Sequence, residues 1–250
     1  MTPVFTLDPD GSWRPSAYAR GPFEGLQGGG AAALMAVAVE GEAQGFVASL
    51  TTHFLRPVPV APLRVTVRPL RRGRRVCVID ADLTADGTLV AVQRATVIAE
   101  LPVSGLPTPP ARRSEPLELP SERRAAMHGG AWMMDTLDAR FAAGVAWFRH
   151  QRPLFERPSA LARVLVAADW AHGIVPPIGA AVRPPAAIPN TDLSVHLIRA
   201  PRGDWIGLEP ATAWSPSAIG VGWAALRDGE GLIGQVAMSV AVTPLTPEAA

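Results

Sequence analysis

The chain contains an internal repeat, which sets the size of its structural units. The string HFLRP, starting at His53, returns as HLIRAP at His196, and the string LVA at Leu89 returns as LIG at Leu232. Both second copies begin 143 positions after the first, so one alignment without gaps covers the starts of both strings. A repeat of this length is too long for a solenoid unit and fits two copies of a small domain. The sequence therefore predicts a fused duplication.

Each half is predicted to contain one apolar helix followed by several strands. Three glycines, 28–30, precede a first helix at 31–40, and Ser159 is the predicted N-cap of a second helix at 160–170. The predicted strands cover 45–54, 63–67, 75–81 and 89–99 in the first half, and 132–141, 144–152, 193–199, 205–214, 220–226 and 232–243 in the second. A helix before a run of strands favours an α+β architecture over alternating βαβ units.

A proline-rich stretch separates the two halves. Residues 101–120 contain six prolines and several charges, which excludes a central strand or a helix interior. We therefore expect an N-terminal domain over 1–103, a linker over 104–123 and a C-terminal domain over 124–250.

The charge balance gives little reason to expect a polyanionic partner. The formal net charge is +1, so neither nucleic acid nor an anionic membrane surface is predicted to bind. The most basic run, Arg71–Arg75, lies at a predicted turn between two strands. It is either a solvated turn or a contact for an anion, such as a phosphate-bearing ligand.

Cysteine usage and hydropathy favour a cytoplasmic protein. The single Cys77 lies in an apolar alternating run and excludes an intramolecular disulfide. Residues 1–10 lack the pattern of a signal peptide. The most apolar stretch, 160–174, is interrupted by charged residues and is too short to span a bilayer. We expect no membrane insertion.

The sequence lacks the common cofactor and nucleophile motifs. Five histidines and one cysteine show no metal-ligand spacing. The glycines at 28–30 lack both the P-loop lysine and the dinucleotide pattern, and no Gly-x-Ser-x-Gly string occurs. We therefore expect neither a metal nor a cofactor.

Several strings spread over nearly the whole chain resemble one protein family. They are FLRP (54–57), AADWAHG (167–173), TDLSVH (191–196), DW (204–205) and ATAW (211–214). In order and spacing they resemble the acyl-CoA thioesterase II-like double-hotdog proteins. The resemblance implies an α+β tandem (double) hotdog, with two antiparallel sheets that each wrap a long central apolar helix.

The resemblance also implies an activity and three catalytic positions. It implies hydrolysis of the thioester of a fatty or related acyl-CoA, by a water that an aspartate, a hydroxyl residue and a glutamine hold. Asp192 matches the aspartate, and Thr212 falls at or beside the hydroxyl position. Met238 stands where the glutamine is expected, and Gln235, three positions away, is predicted to face the other side of its strand.

The methionine raises an alternative to hydrolysis. Thioester hydrolysis needs a base and donors to the developing oxyanion, and methionine cannot donate a hydrogen bond. Either another donor replaces the glutamine or hydrolysis is slow. The first alternative function is therefore a non-catalytic protein that binds an acyl-CoA or a lipid-like ligand.

Five further residues are candidates for substrate binding. They are Gly29, Gly30, His172, Gly173 and Ser194. Amides at a helix start favour a carbonyl or an anion, unless the glycines are only a loop before a core helix. Ser194 shares a predicted strand face with Asp192, and its alternative interpretation is a hydrogen-bonded sheet residue. The alternative for Asp192 is an ordinary turn residue, in the run from Asn190 to Asp192 before the strand.

Asp169 and His172 lie three positions apart and share a predicted helix face. We expect the Asp169 carboxylate to accept a structural hydrogen bond, with His172 and Gly173 bordering the cleft. An Asp/His pair is also used by hotdog hydratases, so an enoyl-CoA-type hydratase is the second alternative, although its signature is absent. The resemblance allows a homodimer of such chains and leaves the acyl preference open.

Overall fold

The structure is a computed structural model that describes residues 1–23, 25–110, 119–122, 129–142, 144–173 and 186–244. The first half contains β1 Phe5–Leu7, β2 Trp13–Pro15, α1 Gly28–Glu42, β3 Phe46–Phe54, β4 Leu63–Arg72, β5 Val76–Ala85 and β6 Thr88–Ile98. The second half contains β7 Leu137–Ala142, β8 Val145–His150, α2 Ala160–Ala168, β9 Ala186–Ala187, β10 Asp192–Leu197, β11 Ile206–Ser215, β12 Ile219–Asp228, β13 Gly231–Ala241 and β14 Thr243–Pro244.

The two halves share one antiparallel sheet of 12 strands. Its order is β1-β2-β4-β5-β6-β3-β10-β13-β12-β11-β8-β7, and β9 and β14 form a separate pair. The halves join where β3 pairs with β10. The prediction of two separate sheets is therefore not confirmed, because this pairing between distant segments makes them continuous.

The internal repeat appears as a pseudo-twofold axis through the sheet. Adding 143 to the bounds of β4, β5 and β6 gives the bounds of β11, β12 and β13. On the axis, Thr51 pairs with Ser194, the residue 143 positions later, and their hydroxyls are 3.2 Å apart. The predicted duplication is confirmed at the level of single residues.

Both helices lie on one face of the sheet and pack against each other. The first turn of α1 consists of the three glycines, and most of its residues are buried, as an all-apolar sequence predicts. The helices contain 15 and 9 residues, so a long central helix in each half is not confirmed. A 3-10 turn, Asp169–His172, continues α2.

A local sequence signal accounts for the hairpin between β5 and β6. Asp86 and Gly87 have φ values of 46° and 71°, which fits the predicted hairpin between β5 and β6. The short β1 and β2 were not predicted, because three-residue strands carry too little alternation to be distinguished.

The predicted linker lies partly outside the described residues. Residues 101–110 are exposed and contain neither helix nor strand, whereas 111–118 and 123 lie outside the described residues. The division into domains at 103 and 124 stays a prediction. Among the described residues, no helix is long and apolar enough to cross a membrane.

Candidate active site

The candidate site lies where the end of α2 meets the beginning of α1. Asp169 follows α2 directly. A Cβ atom added to Gly28 would lie 2.7 Å from Asp169 Oδ1, and one added to Gly29 would lie 2.8 Å from Asp169 Cβ. Cβ atoms essentially never come closer than 3.0 Å to atoms of residues that are not their chain neighbours, so only glycine allows this approach of the two helix ends.

Asp169 is a buried carboxylate with several donors around it. Its relative exposure is 6%, and its Oδ1 accepts a hydrogen bond of 2.9 Å from Asn190 Nδ2. The backbone amides of Gly28 and Gly29 also approach the carboxylate as donors. Burial raises the pKa of Asp169, whereas His172 and these donors act in the opposite direction.

A β-bulge just before β10 decides which residues face the helices. Asn190 pairs with Val240 and Ser194 pairs with Ala237, so four steps along one strand oppose three along the other. The extra residue reverses the alternation of the side chains. Asn190 consequently points to the helix side, and Asp192, only two positions later, points to the outer face.

The structure does not bring Asp192 and Ser194 to the Asp169 carboxylate. The alternate residues of β10 are fully buried against the helices, which leaves Asp192 and Ser194 on the other face of the sheet. There, Asp192 Oδ1 accepts a hydrogen bond of 2.9 Å from the backbone amide of Ser239. This contact stabilises the bulge, because it satisfies the hydrogen-bonding need of a backbone amide on the opposing strand.

Three other predicted site residues do come together on the helix side. Thr212 and Met238 both pair with Gly222, one on each side of it. A Cβ atom added to Gly222 would lie 2.6 Å from His172 Cβ, so His172 packs directly on this glycine. Met238 is almost fully buried. His172 therefore lies above a row formed by Thr212, Gly222 and Met238.

The polar atoms of this row differ in how they are satisfied. The Thr212 hydroxyl accepts a hydrogen bond of 3.1 Å from Trp214 Nε1. The Nδ1 atom of His172 is buried and has no hydrogen bond of good geometry to a described residue. Burial lowers the pKa of His172, and the neighbouring Asp169 opposes this shift. The amide of Gly173 bonds to the Trp170 carbonyl at 3.2 Å.

The amides at the start of α1 are directed at groups of the protein. That of Gly29 approaches Asp169, and that of Gly30 donates to Gln27 Oε1 at 2.7 Å. Gln27 also donates from Nε2 to the Val166 carbonyl of α2 at 3.0 Å. A role for Gly29 and Gly30 in substrate binding stays a prediction, and their observed role is to join the two helices.

Sequence reasoning missed Asn190 and Gln27 as parts of this site. Gln27 precedes the first glycine of α1, where a capping residue is expected, and this position was the available signal. The run from Asn190 to Asp192 is typical of a turn before a strand, and this pattern does not indicate a bond to Asp169. No local pattern announces the bulge that directs Asn190 towards Asp169.

This arrangement is suited to activating a water molecule. A carboxylate with a raised pKa is a stronger base than an ordinary aspartate, and Asn190 holds it in one orientation. Within the described part of the chain, no group of three or more His, Cys, Asp or Glu residues is placed to hold a metal ion.

Two family models match the chain, one in each half. The model described as acyl-CoA thioesterase N-terminal domain matches residues 20–99, and the model described as acyl-CoA thioesterase C-terminal domain matches residues 103–242. Among curated proteins, no sequence matches the chain.

Solved structures share the fold over most of their length. A hotdog-fold protein from Alicyclobacillus acidocaldarius superposes with a TM-score of 0.76 at 18% identity, covering 94% of this chain and 93% of the other. The acyl-CoA thioesterase II TesB2 of Mycobacterium marinum gives 0.69 at 17% identity, with coverages of 89% and 92%. A TesB protein from Mycobacterium avium subspecies paratuberculosis gives 0.64 at 18%, with coverages of 88% and 88%. These similarities show the hotdog fold.

Proposed function

Because the chain belongs to the acyl-CoA thioesterase family and is a thioester hydrolase, we propose that it hydrolyses an acyl-CoA with Asp169 as the general base. The observation that carries this proposal is the buried Asp169 carboxylate, held by Asn190 where the two halves meet. The family accounts for the reaction, and the geometry supports this residue as its base.

The proposed reaction is a single attack of water on the thioester. Asp169 takes a proton from a water molecule, and the resulting hydroxide forms a bond to the thioester carbonyl carbon. The carbon–sulfur bond then breaks, and the thiolate of CoA leaves and takes up a proton, so the products are a carboxylate and free CoA thiol. Proton transfer to a positioned carboxylate contributes about 10²–10⁴-fold to such reactions.

Asn190 acts as a positioning residue in this proposal. Its side-chain nitrogen donates to Asp169 Oδ1 at 2.9 Å and also to the Asp192 carbonyl at 3.2 Å. These two bonds tie the carboxylate to the bulged strand. The orientation of the base then depends on the backbone of the second half, so a small change in the bulge would misplace the attacking water.

The row under His172 supplies the floor of the proposed site. Met238 contributes an apolar, buried surface and Thr212 a hydroxyl, on either side of Gly222. Since methionine donates no hydrogen bond, the oxyanion is left with fewer side-chain donors than a glutamine at 238 would give. We therefore expect slow turnover relative to a chain with a polar residue at 238.

Free-thiol release from acyl-CoAs of short to long chain length tests the proposal. The wild type, Asp169→Asn and Asp192→Asn are compared, because the two aspartates lie on opposite faces of the sheet. Loss of turnover in Asp169→Asn alone is expected. Loss in Asp192→Asn alone would move the base to Asp192. Binding without turnover in the wild type would favour the ligand-binding alternative.

A further inference from the structure

The pseudo-twofold axis places a second cleft at the opposite end of the helix pair. There the end of α1 meets the beginning of α2, as the end of α2 meets the beginning of α1 at the Asp169 site. Glu40, near the end of α1, accepts a hydrogen bond of 2.7 Å from the Ser159 hydroxyl that caps α2. A cavity of about 230 Å³ opens beside them. Its lining includes Glu40, Ala43, Phe46, Val47, Leu161 and Ala200.

The second cleft is related to the Asp169 end by the symmetry of the repeat and lacks the partner that holds Asp169. Subtracting the repeat offset of 143 from Asn190 gives Val47, which lines this cavity. Valine cannot hold a carboxylate by hydrogen bonding. Glu40 is exposed, in contrast with the buried Asp169. The second cleft therefore offers an open cavity and lacks the groups that hydrolysis would require.

A basic hairpin borders this cleft and has no counterpart at the other end. Arg71 and Arg72 end β4, Arg74 and Arg75 follow in the turn before β5, and all four are exposed. Only Arg72 makes an ion pair with a described residue, at 3.2 Å from Glu42. The equivalent turn, 214–218, reads WSPSA and carries no charge. This cluster of positive charge therefore lies at one end of the molecule, and Arg71, Arg74 and Arg75 form no ion pair with a described residue.

The basic hairpin and the apolar cleft are adjacent. A cavity of about 190 Å³ is lined by the arginines 72, 74 and 75 together with Glu42 and Gln44. The apolar cavity is lined by Ala43 and Gly45 of the same segment. Consecutive residues of one short connection thus face the two cavities in turn. A ligand that fills both must combine an anionic head with a narrow apolar arm.

We propose that this end of the molecule is a second, non-hydrolytic site for a ligand of the acyl-CoA class. The phosphates of the nucleotide contact the arginine hairpin, and the acyl-pantetheine arm enters the cleft beside Glu40. Guanidinium groups are the preferred protein partners of phosphate, because their planar donors bind it in a bidentate way. The site goes beyond the proposed hydrolysis and does not depend on Asp169.

Isothermal titration with a thioether analogue of an acyl-CoA, which cannot be hydrolysed, tests this site on the full chain. The wild type is expected to bind two molecules per chain. In Arg72→Gln/Arg74→Gln, one of the two is expected to weaken about tenfold or more, because two phosphate contacts are lost. The matched control, Arg64→Gln/Arg68→Gln, removes the same amount of charge nearer the start of β4. It should keep the affinity of both binding sites. One site in the wild type, or two unchanged sites in the hairpin variant, would overturn the proposal.

Two further measurements separate the head from the arm. Adenosine 3′,5′-bisphosphate serves as a probe of the head alone, and its binding should be lost in the hairpin variant. Ala200→Trp places a bulky ring at an exposed position of the apolar cavity, and it should block the acyl analogue and spare the bisphosphate. Equal loss of both probes in Ala200→Trp would contradict the assignment of the arm. Thiol release should be unchanged in all these variants, which keeps this test independent of the Asp169 site.

Discussion

The two ends of the helix pair are related by symmetry in shape and differ in chemistry. At one end Asp169 is buried against glycines and held by Asn190. At the other, Glu40 is exposed, valine replaces the asparagine, and α2 begins with Ala160 and Leu161 instead of glycines. The comparison shows how few side chains separate a buried carboxylate from an exposed one. Gly28, Gly29 and the side chain of Asn190 distinguish the Asp169 end.

The largest expected effect on kcat separates the carboxylates at the two ends. Asp169→Asn should lower kcat for thiol release by about 10²–10⁴-fold, because the variant lacks the general base. Glu40→Gln is the matched control and should leave kcat within about twofold, since this exposed carboxylate has no role in proton transfer. Equal losses in the two variants would erase the proposed distinction between the ends.

The next largest effect is expected when Asn190 is replaced by valine, the residue at the equivalent position of the second cleft. Asn190→Val removes the bond to Asp169 Oδ1, and kcat should fall by about 10–100-fold, the cost of losing one charge-assisted hydrogen bond in a site. KM should change much less, because Asn190 orients the base and not the substrate. Asn190→Asp, which keeps the size but not the donor, should behave like the valine variant. Full activity in both would remove Asn190 from the mechanism.

The glycines can be tested through stability. Gly29→Ala would press a methyl group into the Leu165 carbonyl and Asp169, so the free energy of unfolding should fall by about 1–3 kcal/mol. Gly41→Ala lies in the same helix with nothing within 4 Å, and it should be neutral or slightly stabilising. Chemical denaturation of both variants gives the comparison. A stable Gly29→Ala protein would show that the helix ends can separate at little cost.

Because Asp169 is buried, replacing it should raise the stability of the protein while it lowers the activity. Because its pKa is raised in the folded protein, its contribution to stability is present below its unfolded pKa and is lost as pH rises through the folded value. At neutral pH, Asp169→Asn should therefore raise the melting temperature. The expected rise is about 2–4 °C for each kcal/mol gained in the free energy of unfolding. The gain should vanish in acid. As the pH is lowered, the activity of the wild type should begin to fall at a higher pH than it would with an ordinary aspartate as the base.

The smallest expected effect concerns position 238. Met238→Gln should raise kcat by about two- to tenfold if the new amide reaches the oxyanion, since a single donor there is worth at most about 10²–10³. Ala95, the equivalent residue of the first half, provides the control, and Ala95→Gln should not create activity in an Asp169→Asn background. A decrease in Met238→Gln would mean that the packing of Met238 matters more than a donor.

The strands and the duplication could be predicted from sequence, because both depend on local patterns. Alternation and hairpin signals marked the strand positions, and the repeat offset reappears in the strand bounds. The single sheet could not be predicted, since the pairing of β3 with β10 joins distant segments. The position of Asp192 depended on a one-residue bulge, which no hydrophobic pattern reports. The catalytic role of Asp192 stays a prediction, which the Asp192→Asn variant tests.

The junction of β3 and β10 also bears on how the chain can assemble. Each half supplies one long strand to this junction, and the other half covers its edge. A half produced alone would expose a row of unpaired amides and carbonyls, which is a template for pairing with another chain. We expect such a fragment to dimerise with itself or to aggregate. The covalent link between the halves keeps the local concentration of the correct partner far above that of any competitor.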